Sequence, residues 1–174
     1  MTNTVRIGVA LQIPEPHASV LVGWRRRIGD PEAGRIPPHV TLLPPTDFDA
    51  DQLDLVEKHL AEAASAVAPF DMRLASTGTF RPVSQVVFVQ VSTGIAQCEQ
   101  LEEAVRRHPI ERPVEFPYHP HVTVGHDVPD PQLDEAFDGL VDFVADFRIA
   151  SFRMYTQDAG GSWHTFREFP LTGS

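Results

Sequence analysis

Two short stretches of the sequence repeat the same set of residues capable of acid–base chemistry. Pro38-His39-Val40-Thr41-Leu42 lies in the first half of the chain, and Pro120-His121-Val122-Thr123-Val124 lies in the second. In each stretch the apolar residues alternate with His and Thr, which predicts a strand with the imidazole and the hydroxyl on one face. Two such strands side by side would bring two His and two Thr into one cleft, an arrangement that suits acid–base work on a phosphate.

The composition indicates a globular domain with an acidic surface. The chain has 174 residues, of which 42% are hydrophobic and 22% charged, and its net charge is −10. A protein that grips long nucleic acid usually has a basic stripe, so no long nucleic-acid partner is expected, and the charge favours a monomer. The single cysteine, Cys98, argues against an internal disulfide and a Cys-based zinc site. No signal peptide or membrane-length apolar run is recognisable, so we expect a soluble cytoplasmic protein without a membrane partner.

Hydrophobic periodicity predicts the same order of elements twice: helix, motif strand, helix and hairpin. The first helix is expected to bury Val20, Trp24 and Ile28 at four-residue spacing. Pro44-Pro45 is expected to end the first motif strand. Near the end of the chain, a strand is predicted to kink close to Ala150-Ser151, where its apolar residues change parity.

This repetition predicts a single domain over residues 1–174, built from approximate repeats 16–92 and 94–169. The expected fold class is α+β and bilobal. Two antiparallel-sheet lobes flanked by helices would be related by a pseudo-two-fold axis, with the paired motifs in a central cleft. Such an interface is a preferred place for a ligand site.

The residues around both motifs resemble the 2H phosphoesterase superfamily, and within it the 2′-5′ RNA ligase-like group. The sequence from His39 to Pro45 is similar to the first family motif, and the sequence from Pro120 to Gly125 is similar to the second. Phe80-Arg81-Pro82 lies between them, as in the family. The resemblance covers nearly the whole chain.

The resemblance implies metal-independent chemistry, with no cofactor, on 2′,3′-cyclic phosphates at RNA ends or on small cyclic nucleotides. Some relatives also join RNA ends reversibly through a 2′-5′ bond. The implied catalytic residues are His39, Thr41, His121 and Thr123. Leaning on the resemblance, we assign His121 as the base and His39 as the acid, although the residues alone do not order them.

Four further residues are candidates for substrate binding. Phe80 and Arg81 stand at a predicted hairpin bend, and Arg153 and Tyr155 stand in the penultimate strand. Arginine can clamp a phosphate and an aromatic ring can stack on a base, but packing roles are equally compatible with the aromatic residues. The run Arg25-Arg26-Arg27 is interpreted as a solvated helix face rather than an RNA track.

Three other functions compete with a cyclic phosphodiesterase. His119, His121 and His126 could be read as ligands of a metal-dependent hydrolase, although no matching carboxylate spacing is present. A non-catalytic module that binds RNA ends or nucleotides would need only donors and charge, so two intact His-Thr pairs argue against it. A purely structural role would leave the duplicated polar motif unexplained.

Overall fold

The structure is a computed structural model that describes residues 3–174, so the first two residues of the predicted 1–174 domain lie outside it. Within residues 3–174 the chain forms eight strands and four α-helices, with a 3₁₀ turn before the second helix. In chain order they are β1 (Thr4–Gln12), α1 (His17–Arg27), β2 (His39–Asp49), α2 (Leu53–Ala64), β3 (Phe70–Thr79), β4 (Val86–Thr93), α3 (Ile95–Arg106), β5 (His121–His126), α4 (Asp130–Gly139), β6 (Val144–Ile149), β7 (Ser151–Gln157) and β8 (Trp163–Pro170). None of the helices in this part of the chain is both long and apolar enough to cross a membrane.

The two motif strands lie next to each other at the centre of one antiparallel sheet. The strand order is β6-β3-β4-β5-β2-β1-β7-β8, and β2 meets β5 through the pair Val40 and Val122. The predicted α+β fold with an antiparallel sheet and flanking helices is confirmed. Each half of the sheet combines strands from both predicted repeats, since the hairpin β3–β4 lies beside β5 rather than beside β2. The repeat limits 16–92 and 94–169 stay a prediction.

A one-residue connection forces the sheet to curl. β6 is one edge of the sheet and β7 is the seventh strand in the order, yet only Ala150 separates them along the chain. One residue spans at most about 3.6 Å. The edges must therefore approach each other, and the predicted kinked strand is in fact two strands that pair at opposite ends of the sheet.

The helices cover the buried face of the sheet. Two of them pack on a motif strand other than the one that follows them in the chain. α1 packs on β5, and α3 packs on β2. Gly125 in β5 permits this approach, because a Cβ there would lie 2.8 Å from a methyl group of Ile28 and 2.9 Å from one of Leu133. The buried faces of β2 and β5, including Val40 and Val122, join the same core.

Two local predictions differ from the structure. Ile28 is buried and Trp24 is partly buried, as expected, but Val20 is 45% exposed, and helix α1 buries Ala18, Leu21 and Arg25. The periodicity misled because one buried position carries an arginine. Strand β2 runs through Pro44-Pro45 to Asp49, because the register of β1 against β2 shifts beside these prolines and an irregular ladder tolerates residues that lack an N–H.

Arg25 is not solvated, in contrast to the interpretation of the arginine run; Arg26 and Arg27 are exposed. The Arg25 side chain is buried and pairs with Asp30 at 2.8 Å. The Asp30 carboxylate also accepts hydrogen bonds from the backbone N–H of Glu32, at 2.9 Å, and of His126, at 3.1 Å. Asp30 thereby joins the end of α1 to the end of β5.

We expect Asp30→Ala to lower the free energy of unfolding by about 3–5 kcal/mol, because it leaves the Arg25 charge buried without a partner. The matched control is Glu135→Ala, which removes the pair of Arg27 and Glu135, whose side chains are 63% and 43% exposed. This exposed pair should contribute no more than about 1 kcal/mol. Urea unfolding of both variants measures the difference, and equal losses would contradict a structural role for Asp30.

Candidate active site

The pairing of β2 with β5 brings the four predicted catalytic residues together. Val40 lies opposite Val122 in an antiparallel pair, so the register, continued one residue each way, aligns His39 with Thr123 and Thr41 with His121. Because side chains alternate along a strand, all four lie on the sheet face opposite to the core valines. All four are half-buried. The result is a compact polar patch with an imidazole and a hydroxyl from each strand.

Both imidazole rings are oriented in the same way by the backbone. His39 Nδ1 lies 2.9 Å from the carbonyl oxygen of Pro37, and His121 Nδ1 lies 2.7 Å from that of His119. A carbonyl only accepts, so Nδ1 of each ring carries the proton, and the neutral ring keeps its lone pair on Nε2. Neither Nε2 has a hydrogen-bond partner among the described residues. Each histidine can therefore take or give a proton at Nε2.

Burial makes both motif histidines weak bases. Desolvation lowers the pKa of His39 to about 4; the carbonyl of Pro37 opposes this, and the charges of Arg25 and His121 add to it. Desolvation also lowers the pKa of His121; the backbone carbonyl of His119 opposes this, and the charge of the His119 ring adds to it. Both rings are thus neutral near pH 7. A phosphate anion between them would favour their charged forms and raise both pKa values.

Aromatic side chains surround His121 on its outer side. The Phe80 ring lies 4.9 Å from the His121 ring, and the Phe88 ring lies 5.2 Å from it, centroid to centroid. Gly78 makes room for Phe88, because a Cβ on Gly78 would lie 2.6 Å from that ring. This contact explains the glycine near the end of β3.

A largely apolar cavity of about 580 Å³ opens beside His121 and Thr41. It lies under the loop between α3 and β5, which is anchored at two points. Arg112 donates to the Pro45 carbonyl at 3.0 Å, and the Tyr118 hydroxyl donates to the Thr41 carbonyl at 2.7 Å. Phe80 lines this cavity, and Phe116 at its rim is 67% exposed. Such a wall suits a flat organic group.

Arg81 is held outside the cleft lining. Its Nη1 lies 2.9 Å from Asp134 and 3.3 Å from Asp130, and its Nε donates to Thr79 at 3.0 Å. Desolvation by burial is the largest single effect on the pKa of Arg81 and lowers it, but the hydrogen bonds and charges of Asp134 and Asp130 together outweigh it, so the pKa is raised. Arg81 therefore fastens the β3–β4 bend to α4, and its predicted contact with substrate stays a prediction.

Arg153 and Tyr155 both lie on the β1 side of the cleft. Arg153 is opposite Ala10, which is itself opposite Thr41, so the three residues form one row across β7, β1 and β2. Tyr155 is 2% exposed, and its hydroxyl is buried without a hydrogen-bond partner in the described part of the chain. Arg153 is thus available to a ligand in the cleft, whereas Tyr155 lies beneath its surface. Their role in binding substrate also stays a prediction.

The sequence analysis missed two glutamines beside the histidines. Gln12 of β1 lies opposite His39, and Gln90 of β4 lies opposite His121. Gln90 donates to the Thr77 carbonyl at 2.8 Å, whereas the Oε1 atom of Gln12 is buried and has no partner among residues 3–174. The sequence contains a signal for this pair, because the two glutamines occupy equivalent places in the repeat. Gln12 lies in β1, before α1 and the first motif, and Gln90 lies in β4, before α3 and the second motif.

The histidines of the second motif do not gather as a metal site. His119 contacts the Phe80 ring at 5.7 Å between centroids. His126 is exposed and lies 3.4 Å from Asp127. Within residues 3–174, no cluster of three or more His, Cys, Asp or Glu side chains has the arrangement of a metal site. The metal reading of His119, His121 and His126 has no geometric support.

A curled antiparallel sheet with two His-Val-Thr strands paired at its centre defines the 2H phosphoesterase class. The chain belongs to the 2′-5′ RNA ligase superfamily, whose family model matches residues 13–161. The resemblance recognised in the two motifs is confirmed.

Similar proteins match along almost their whole length. "Putative phosphoesterase BH1439" of Halalkalibacterium halodurans is 30% identical over 166 residues, which cover 94% of this chain and 96% of the relative. "Putative phosphoesterase GK0864" of Geobacillus kaustophilus is 25% identical over 171 residues, covering 97% and 98%. Among solved structures, E. coli LigT complexed with 3′-AMP superposes with a TM-score of 0.71 at 21% identity, covering 98% of this chain and 99% of that one. TT0787 of Thermus thermophilus gives 0.66 at 24% identity, covering 97% and 99%. At these identities the structural likeness concerns the fold.

We expect His39 in the ligand-free protein to titrate well below the ordinary histidine pKa of about 6.5, with a midpoint near pH 4. The neutral rings of His39 and His121 should both carry their proton on Nδ1. Nitrogen-15 NMR of the imidazole rings measures both properties, and the spectra of His39→Ala and His121→Ala assign the signals. A midpoint of His39 near 6.5, or a neutral ring protonated on Nε2, would contradict this account of the site.

Proposed function

We propose that the protein is a metal-independent enzyme that hydrolyses 2′,3′-cyclic phosphates by two-histidine acid–base catalysis. The observation that carries this proposal is the antiparallel alignment of the two motifs, in which each histidine lies across from the threonine of the other. The substrate class is an RNA end or a small cyclic nucleotide. The acidic charge favours a monomer acting on short or end-held substrates.

Opening a cyclic phosphodiester needs a base for water, an acid for the leaving ribose oxygen and donors for the phosphoryl oxygens. We assign His121 Nε2 to take the proton from the attacking water and His39 Nε2 to protonate the leaving oxygen. The P–O bond to one ribose oxygen breaks as the bond to the water oxygen forms. In the reverse reaction, which closes the ring and releases water, the two histidines exchange roles. If a ribose 5′-hydroxyl replaces water in the ring-opening direction and the 3′ oxygen leaves, the product is a 2′-5′ linkage.

The substrate itself would prepare the histidines for these roles. Both rings are neutral at pH 7 because burial lowers their pKa values, and the negative phosphate would raise these values by Coulombic attraction. One ring can then hold a proton while the other stays neutral. Each role contributes about 10²–10⁴-fold to the rate.

The threonine hydroxyls are the proposed donors to the non-bridging oxygens. Neither the Thr41 nor the Thr123 hydroxyl has a hydrogen-bond partner among the described residues, and both share the face of the histidines. Donors aimed at charge that develops on the phosphoryl group stabilise the transition state more than the ground state.

Nucleotides in the structural relatives agree with a substrate of this size. E. coli LigT has been solved with 3′-AMP, with ATP and with NADP+. In this chain the cavity beside His121, with Phe80 in its wall, offers an apolar surface on which a nucleobase can stack.

We expect hydrolysis of a nucleoside 2′,3′-cyclic phosphate, and of a short RNA with the same end, in excess EDTA. His39→Ala and His121→Ala should each lower kcat/KM by about 10²–10⁴-fold, because each removes one proton-transfer group. His108→Ala is the matched control, since that side chain is 81% exposed and pairs with Glu111 at the surface.

The same assay separates the competing functions. Binding of the nucleotide without turnover by the wild type would favour a non-catalytic nucleotide-binding module. Turnover that EDTA abolishes would favour a metal-dependent hydrolase.

We expect Thr41→Val and Thr123→Val each to lower kcat by about 10²-fold, because valine keeps the shape of threonine but lacks the donor hydroxyl. Thr41→Ser and Thr123→Ser keep the hydroxyl and should retain most of the activity. Steady-state kinetics measure the effect, and thermal melting of each variant reports whether the fold is intact. A valine variant as active as its serine counterpart would remove the threonines from the mechanism.

A further inference from the structure

A second cavity, of about 590 Å³, lies on the opposite side of the cleft from the aromatic one. Its walls are the end of β1, the beginning of α1, Pro37 and Pro38 before His39, and the junction of β6 with β7 around Ala150. The cavity exists because the curled sheet brings that junction beside β1. It adjoins His39 through Gln12, which lines it and lies opposite His39 in the sheet.

The charge of this cavity contrasts with that of the chain. Three arginines line it, Arg26, Arg148 and Arg153, against the single carboxylate of Glu15, whereas the whole protein has a net charge of −10. Glu15 accepts a hydrogen bond from Ser19 at 2.5 Å, not from an arginine. Positive side chains concentrated at one place on an acidic protein form a local attraction for anions.

Two of these arginines have no anionic partner in the described part of the chain. Arg148 pairs with Asp71 at 3.1 Å, but neither Arg26 nor Arg153 has a carboxylate within 4.0 Å among residues 3–174. By contrast, the neighbouring Arg27 pairs with Glu135 at 2.6 Å, outside the cavity. A guanidinium group without a protein partner keeps its donors free for a bidentate contact with phosphate.

The sheet register connects this cavity to the reacting centre. His121, Thr41, Ala10 and Arg153 lie in one row across four neighbouring strands. Arg153 is two strands from Thr41, which is about 10 Å at the usual strand spacing. Ala10 between them is buried and adds only a methyl group to the row. A substrate that reaches from Thr41 toward Arg153 would therefore pass beside Gln12, which lies opposite His39 and also lines the cavity.

Gln12 offers a polar contact between the motif histidines and the arginine-lined cavity. Its buried Oε1 is an acceptor without a donor among residues 3–174, and a buried polar atom usually has a partner. A sugar hydroxyl or an amino group of a bound molecule could provide the missing donor.

Building on the proposed function, we infer that the arginine cavity is a subsite for a second phosphate of the same substrate molecule. The reacting cyclic phosphate would lie between His39 and His121 while the second phosphate is held by Arg26 and Arg153. The preferred substrate is then a cyclic phosphate that carries another phosphate on its sugar, rather than a simple nucleoside cyclic phosphate. Such a second phosphate is either a 5′-terminal monoester of a small nucleotide or the internal phosphodiester of an RNA chain.

The test compares three substrates that share one cyclic end: a nucleoside 2′,3′-cyclic phosphate, its 5′-phosphorylated form, and a dinucleotide with an internal phosphodiester. The guanidinium groups of Arg26 and Arg153 would donate charge-assisted hydrogen bonds to the second phosphate, so we expect that phosphate to raise kcat/KM at least about tenfold. Preference for the 5′-monoester would identify a small nucleotide as substrate, and preference for the dinucleotide would identify RNA.

Variants connect the preference to the cavity. Arg26→Ala and Arg153→Ala should each reduce the ratio of kcat/KM between phosphorylated and unphosphorylated substrates by about tenfold. Arg27→Ala, which changes the adjacent residue on the same helix, should leave this ratio unchanged. A wild-type ratio near one, or a ratio that neither Arg26→Ala nor Arg153→Ala alters, would overturn the subsite.

A binding measurement separates this inference from the catalytic one. Calorimetric titration with a nucleoside 2′-phosphate and with the corresponding 2′,5′-bisphosphate needs no turnover. Tighter binding of the bisphosphate, lost in Arg26→Ala, would support the subsite even if no cyclic phosphate were hydrolysed. Equal affinity for the two ligands, alongside hydrolysis of the simple cyclic nucleotide, would reject the subsite and keep the proposed function.

Discussion

One antiparallel contact between two strands determines the geometry of the site. Val40 opposite Val122 is where β2 meets β5, and the alternation of side chains then carries His39, Thr41, His121 and Thr123 to the same face. A shift of one residue in either strand would exchange the polar residues for the core valines. The register is therefore held by the hydrophobic core, since Val40 and Val122 are fully buried in it. Burial of Val40 and Val122 thus both stabilises the fold and aligns the four polar side chains.

Burial acts on this site in two opposite ways. It lowers the pKa of both motif histidines and keeps them neutral until an anion arrives. It also strengthens every interaction with that anion, because charges attract more strongly where water is excluded. The backbone carbonyls before each histidine add direction, since they hold the proton on Nδ1 and leave Nε2 toward the cleft. His39 and His121 are therefore neutral near pH 7, and a bound anion would raise their pKa values.

The sequence was sufficient for the elements that carry strong periodicity or a repeated motif. The fold class, the hairpin β3–β4 and the two motif strands follow from alternation and from residues such as His39 and His121. The missed features depend on pairing between side chains or between strands, which hydrophobic periodicity does not display. Arg25 can be buried because Asp30 pairs with it. An arginine at a buried position interrupts the apolar pattern by which the buried face of α1 would be recognised in the sequence. Pro44-Pro45 stays in β2 because the partner strand is irregular there. Arg81 turned toward Asp130 and Asp134, which follow it by about fifty positions.

The two halves of the cleft are alike at the histidines and different beyond them. Gln12 and Gln90 occupy matching positions, but the neighbour of Thr41 is Ala10, followed by Arg153, whereas the neighbour of Thr123 is Phe88, followed by Gly78. The row that starts at Thr41 therefore ends in the cation of Arg153. The row that starts at Thr123 ends in the Phe88 ring, which packs over Gly78. A substrate with an organic ring at one end and a negative group at the other fits these walls in a single orientation. That orientation would give different tasks to two histidines that the backbone orients in the same way, which is how a duplicated motif can serve a reaction that needs one acid and one base.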